Sequence, residues 1–333
     1  MEIYSEISNL LAKQGIIINL STERFIGKVS NIYHKYESSF YDKHQQSLLD
    51  SIPYWAKAFS LINKNFFGKE SIKVLDFGCG TGFATLQLIN SELIDKVSEI
   101  TCYDLSDEML GQCKNKIDKT PLTSSMMYIS KPDEILTKLK ANKYDLVMTN
   151  SLLHHIPNPK NLVKLLMNSL NAKGYYICGH EPNKSFYFNE KLVLQTKQFR
   201  FYKRIYKRLN FQYIFQKVGL KRSVDIIEAT NTDLINEGII NKPIPAEYLI
   251  KLIDIHVPIG FSKNQCWGEL GFSHELFKDD STDKQISIPC YFTYSHIKDP
   301  LTNEFKYWKD KKLKLSSKYP DDGADFLAVV SVE

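Results

Sequence analysis

The chain is poor in several things that would otherwise define it. No stretch reaches the roughly 18 consecutive apolar residues that a membrane-crossing helix needs, and no membrane partner is expected. The six cysteines, at 79, 102, 113, 178, 266 and 290, form no C-x-x-C pair and lie near no histidine ligand spacing. A zinc site or disulfide framework is therefore not indicated, and reduced thiols without a metal are expected. The opening MEIYSEISNL carries acids where a secretion signal would carry Lys or Arg ahead of an apolar core. A cytoplasmic location is the expectation. What remains, 333 residues with 43% hydrophobic and 24% charged, suffices for a sizeable globular core.

The organising stretch is IKVLDFGCGTGFAT, residues 72–85. An apolar run too short for a helix ends in Gly78, Gly80 and Gly82, and an apolar-periodic segment follows. That order reads as strand, tight turn, helix. Glycines suit a turn that visits backbone conformations closed to residues with a Cβ, and they let a ligand lie against the main chain. A dinucleotide fingerprint would place its third glycine at position 83, which is Phe83. The acid at the strand end, Asp76, also suits a cation better than a pyrophosphate.

Downstream, EITCYDLSDEML is a short strand ending in Asp104, about 24 residues after Gly80, the distance at which an acid meets a ribose. MMYIS, residues 126–130, is a third strand, with Asp133 shortly after. YDLVMTNSLLHHIPNP gives a fourth strand ending at Asn150, followed by His154 and His155; LNAKGYYICGHEPN gives a fifth ending at Glu181. Strands alternating with helices over short connections imply a parallel, doubly wound α/β sheet with ligands at its carboxyl edge.

VLDFGCGTG with the D-x-S-x-x-M-L of Asp104, Ser106, Met109 and Leu110, and N-x-x-L-H at Asn150–His154, resembles the class I S-adenosylmethionine-dependent methyltransferases. The resemblance covers about residues 70–190 in detail. It implies a Rossmann-like seven-stranded sheet and S-adenosylmethionine as cofactor. It further implies that Asp76, Gly78, Cys79, Gly80 and Gly82 hold the amino-acid end, Asp104 the ribose, Leu105, Met109 and Asp133 the adenine, with Asn150 beside them. Asp133 stands after Lys131 and Pro132, where the family has Asp-Ala.

Beyond that span the resemblance reaches the last strands in outline and says little of the insertion. Residues 1–70 read as helical, and the resemblance implies that they form a lid whose Tyr36 or Tyr41 touches the cofactor; 71–183 read as the core, 184–285 as a helical insertion between the fifth and sixth strands that covers the site, and 286–333 as closing strands. The resemblance implies an antiparallel seventh strand between the fifth and sixth. From Lys184 to Arg222 eleven basic residues face one acid, Glu190, a local +10 that leaves the remainder of the chain at −5. KQFRFYKRIYKRLNFQY places Phe199, Tyr202, Tyr206, Leu209 and Tyr213 at helical spacing with a basic opposite face.

Methyl transfer to carbon or oxygen benefits from a base, and His154, His155 and Glu181 are the candidates. A carboxylate behind a histidine orients it and supports its charged form. Nucleobase methylation usually goes with Asn/Asp-Pro-Pro-aromatic after the fourth strand, and the chain has Asn150-Ser151-Leu152-Leu153. Nucleic acid is disfavoured. A small organic acceptor, free or carried on an acidic carrier protein, is favoured. Two alternatives stay open: a protein that binds the cofactor without transferring its methyl, and an RNA-directed enzyme using the basic helix.

Overall fold

The computed structural model describes residues 2–38, 46–66, 68–141, 143–209, 225–258, 260, 266–278, 285–299 and 305–333. Helices α1 (Glu2–Lys13), α2 (Thr22–Glu37) and α3 (Ile52–Asn65) come first. Pro53 lies in the first turn of α3, where its missing N–H has no helical acceptor to lose. Strands and helices then alternate: β1 (Ile72–Phe77), α4 (Phe83–Ile89), β2 (Val97–Tyr103), α5 (Asp107–Ile117), β3 (Ser125–Ile129), α6 (Pro132–Ala141), β4 (Tyr144–Asn150), α7 (Pro159–Asn168) and β5 (Leu170–Pro182). Further helices α8 (Lys184–Phe188), α9 (Glu190–Leu209), α10 (Ile226–Asn236) and α11 (Ala246–Ile253) precede β6 (Ile286–Tyr294), α12 (Lys306–Lys318) and β7 (Asp325–Val332).

The seven strands form one sheet in the order β3-β2-β1-β4-β5-β7-β6. β1 to β5 run parallel, and β7 is antiparallel to both neighbours, β5 and β6, as expected. The strand order reverses between β1 and β4, so a crevice opens there at the carboxyl edge. Burial on both faces explains the apolar Leu146, Val147 and Met148 in succession along β4, all but its last residue buried. One face packs Trp55, Phe59 and Ile62 of α3 with Leu88 of α4 and Cys113 of α5; the other packs Ile135 of α6 with Val163 and Leu166 of α7.

A third core lies off the sheet. Ile7, Leu11, Phe25, Ile26 and Val29 of the first two helices bury against Leu234 of α10 and Leu249 and Leu252 of α11. Segments separated by about 200 residues thus share one apolar cluster, which the sequence periodicity could not reveal. Tyr36 joins the same region, its hydroxyl donating to Asp233 Oδ2 at 2.8 Å.

The glycine turn is held by geometry as much as by composition. Gly82 caps α4 at φ +87°, and a Cβ there would lie 2.8 Å from Cys113 Sγ. Gly82→Ala should cost about 1–3 kcal/mol through left-handed backbone strain and overpacking. Denaturant unfolding checks this, with part of the loss recovered when Cys113→Ala is added; an unchanged midpoint would show that the turn does not need the glycine.

Candidate functional site

A cavity of about 350 Å³ sits over the glycine turn at the crevice. Gly78, Cys79, Gly80 and Thr81 form its floor, Asp104, Leu105 and Met109 one wall, Asn150 and Leu152 another. Gly78 stands at φ +73°, and a Cβ on it would collide with Leu152 Cδ1 at 2.7 Å, whereas one on Gly80 would enter open space. The turn thus presents bare backbone to the cavity. Asp104 is fixed by its own loop: Oδ2 accepts from Gly80 N at 2.7 Å and Oδ1 from Ser106 N at 2.9 Å. Burial raises its pKa above the usual carboxylate value against the pull of those N–H donors. Ser106 in turn caps α5, its Oγ accepting from Met109 N, so the Asp104–Met109 spacing is the geometry of a capped helix start.

Strand alternation decides which side chains reach the cavity. Phe77 lines it, while the preceding Asp76 turns the other way and is fully buried. Asp76 Oδ2 accepts from both Thr85 N and Thr85 Oγ1, at 3.1 and 2.6 Å, and burial pushes its pKa up to about 8. The carboxylate thus ties α4 beneath the turn and does not line the cavity, and its Oδ1 is buried without a hydrogen-bond partner. Gly82 likewise serves packing against Cys113. Asp133 is exposed at the start of α6 and does not line the cavity, because the chain enters that helix directly after β3. Tyr36 is absent from the lining too, and Tyr41 lies outside the described residues. The roof is α2, through Ile26, Gly27, Ser30, Asn31 and His34, none of which the sequence singled out. Gly27 inside a helix was the available signal.

A second cavity, about 240 Å³, adjoins the first, with His34, Ser151 and His155 lining both. Its chemistry differs. Tyr33, Glu37, His154, His180, Asp254, Lys298 and Asp325 line it. Lys298 Nζ donates to Tyr187 Oη at 2.6 Å and stands 3.9 Å from Asp325. His34 pairs with Glu37 at 2.9 Å.

Between the cavities the Glu181 carboxylate is completely buried. Its Oε1 accepts from Leu152 N and Leu153 N, both at 2.7 Å; its Oε2 takes His154 N at 3.1 Å and His154 Nδ1 at 2.8 Å. An irregularity in β5 between Gly179 and Glu181, with His180 at φ +55°, aims the carboxylate at this turn. Ser151 opposite is also left-handed, at φ +54°. Burial works to depress His154, but the Glu181 charge and hydrogen bond, with Asp254, outweigh it and raise the pKa. His155 goes the other way, burial and the neighbouring histidines taking its pKa well below the usual value. Its Nδ1 faces the Ile253 carbonyl at 2.9 Å, which fixes the proton there and leaves Nε2 as acceptor. The structure therefore brings His154 and Glu181 together and sends His155 to a different partner.

Two sets of described residues have metal-ligand spacing, His154 with His155 and Asp254, and Cys79 with Cys102 and Cys113, the ligating atoms in each set within 4.8 Å. The second set is assembled by the fold, since α5 carries Cys113 beneath the turn.

Residues 68–219 match the family model described as a methyltransferase domain. The ubiquinone biosynthesis O-methyltransferase of Coxiella burnetii is 32% identical over 91 residues, 27% of this chain and 36% of that protein. The malonyl-[acyl-carrier protein] O-methyltransferase of Bacillus anthracis is 27% identical over 116 residues, 34% of this chain and 39% of that protein. The matches thus span little more than a third of these relatives' length. Among solved structures, the plantazolicin methyltransferase BpumL in complex with S-adenosylhomocysteine covers 93% of this chain and 98% of its own, at 12% identity and a TM-score of 0.41. The glycine turn and strands β1 to β5 thus lie within residues 68–219, the part of the chain that is similar to a methyltransferase domain.

Proposed function

We propose that the chain transfers a methyl group from S-adenosylmethionine to oxygen or carbon of a small organic acceptor, free or carrier-tethered, with His154 as the base. The observation that carries this reading is the buried Glu181–His154 pair at the junction of two chemically different cavities. O-methyltransferases of ubiquinone biosynthesis and of a malonyl carrier protein, among the relatives, support the acceptor class.

The first cavity fits the cofactor on its own terms. Its size suits a small ligand, Leu105 is an exposed apolar surface for a flat ring, and Asn150 Oδ1 is buried without a hydrogen-bond partner. That orphaned acceptor suits an ammonium. Gly78–Thr81 would lie under the amino-acid end and Asp104 would accept from the ribose with the lone pairs its loop leaves. When bound, the cofactor supplies an electrophilic methyl on a sulfonium. The α2 roof excludes water and the second cavity holds the acceptor beside it. Glu181 keeps the proton of His154 on Nδ1, so that Nε2 faces the acceptor side, where Asp254 Oδ1 is 3.9 Å away. The neutral imidazole takes the acceptor proton and the two carboxylates support the resulting cation.

Asp104→Ala should weaken S-adenosylhomocysteine binding by about 1.5–3 kcal/mol, the scale of a hydrogen bond to a charged group. Calorimetry checks it, and unchanged affinity would remove Asp104 from the site.

His154→Ala should lower the single-turnover rate by about 10²–10⁴ with cofactor binding intact, and Glu181→Gln should do so less. His155→Ala should be the milder histidine change. Because only neutral His154 accepts a proton and its pKa is raised, the rate should climb with pH through a midpoint above the usual histidine value of about 6.5. A flat profile, or near wild-type chemistry in His154→Ala, would leave positioning alone as the mechanism. Turnover abolished by chelation would shift the role of His154 from base to ion ligand. A chain that binds the cofactor yet forms no S-adenosylhomocysteine with any acceptor would be a binding protein.

A further inference from the structure

Helix α9 has two apolar faces where the sequence indicated one. Leu192 and Phe199 are fully buried, Phe199 against Phe305 at 5.3 Å and Trp308 at 5.2 Å. On the opposite side Leu194, Phe201 and Ile205 follow at i, i+7 and i+11 and are 51%, 64% and 40% exposed. Tyr202, read from the sequence as part of the buried face, is 44% exposed. On a wheel of 3.6 residues per turn, Lys197, Arg204 and Arg208 lie along one flank of this outer ridge, and all three are exposed. Neighbouring α12 packs on the other side of α9, Trp308 lying against Phe199 and Tyr202, and so leaves the ridge uncovered.

We propose that this ridge is a membrane-surface site, by which α9 lies on an anionic bilayer with Leu194, Phe201 and Ile205 at the boundary of headgroups and acyl chains. Charge selects the sign of the partner: cations flanking the ridge match anionic headgroups. The ridge selects apolar depth, since cations alone would meet an acidic protein without large side chains left in water between them. None of the described helices is long and apolar enough to cross a membrane, so the helix lies on the surface. This departs from the sequence expectation of no membrane partner, which rested on the lack of a spanning segment. The inference is independent of which atom is methylated.

Sedimentation of the full chain with vesicles tests it. Equimolar phosphatidylcholine and phosphatidylglycerol vesicles should carry the protein down, pure phosphatidylcholine should not, and added salt should weaken the binding. Phe201→Ser with Ile205→Ser should lower the partition coefficient at least about tenfold, with melting temperature and S-adenosylhomocysteine affinity unchanged. Reversal at Lys197, Arg204 and Arg208 should lose binding to the same extent. As a readout free of any folding question, Phe201→Trp should add a fluorescence component that shifts to the blue on the anionic vesicles alone. Protein left in the supernatant with both vesicle types, or full binding by the Phe201/Ile205 variant, would overturn the proposal, the latter pointing to a purely electrostatic surface for an acidic protein.

Discussion

One buried carboxylate sets the shape of the site. Glu181 accepts three backbone N–H groups of Leu152, Leu153 and His154 and the His154 ring. A lone carboxylate at full burial would cost several kcal/mol in desolvation; four charge-assisted hydrogen bonds offset that cost and bind the loop after β4 to the edge of β5. Everything nearby inherits the position of that loop. Leu152 fits against the bare Cα of Gly78, Ser151 and His155 line both cavities, and His155 reaches the Ile253 carbonyl of the helical cap. The backbone strain the arrangement requires sits at Ser151 and His180, residues beside the proposed chemistry.

The same economy explains the glycine turn. Asp76 does not face the ligand cavity because alternation along β1 gives that direction to Phe77. Its carboxylate instead anchors Thr85 and with it the start of α4, so the acid of the motif works one layer behind the surface. Asp104 takes the exposed role, and its bonds to Gly80 N and Ser106 N hold the first and second strand ends as a single cradle.

Much of the sheet was legible because its signals are local. A short apolar run, a turn of glycines and an acid about 24 residues on identify β1 and β2 wherever they occur, and the antiparallel seventh strand followed from the family resemblance. The Glu181–His154 meeting was legible as well, since both residues lie at ends of adjacent strands. What failed depends on contacts between distant segments. The roof residues Gly27 to His34 carry no motif, and their place over the cavity comes from a core that α2 shares with α10 and α11. Asp133 sat at a plausible distance from β3 and yet is exposed. Cys113 is brought under the turn by the path of α5. The second apolar face of α9 was hidden because periodicity marks hydrophobic positions without saying which of them find a partner.

One cavity joins the glycine turn, the Asp104 loop, the Ser151 turn and the α2 roof, so a single ligand should touch all four. Hydrogen exchange with and without S-adenosylhomocysteine measures this most directly. The expected result is slower exchange in four separate segments together, residues 78–82, 104–109, 150–155 and 26–34, with β6 and α12 unchanged. Protection confined to one of them, or none at all at saturating ligand, would contradict a shared site.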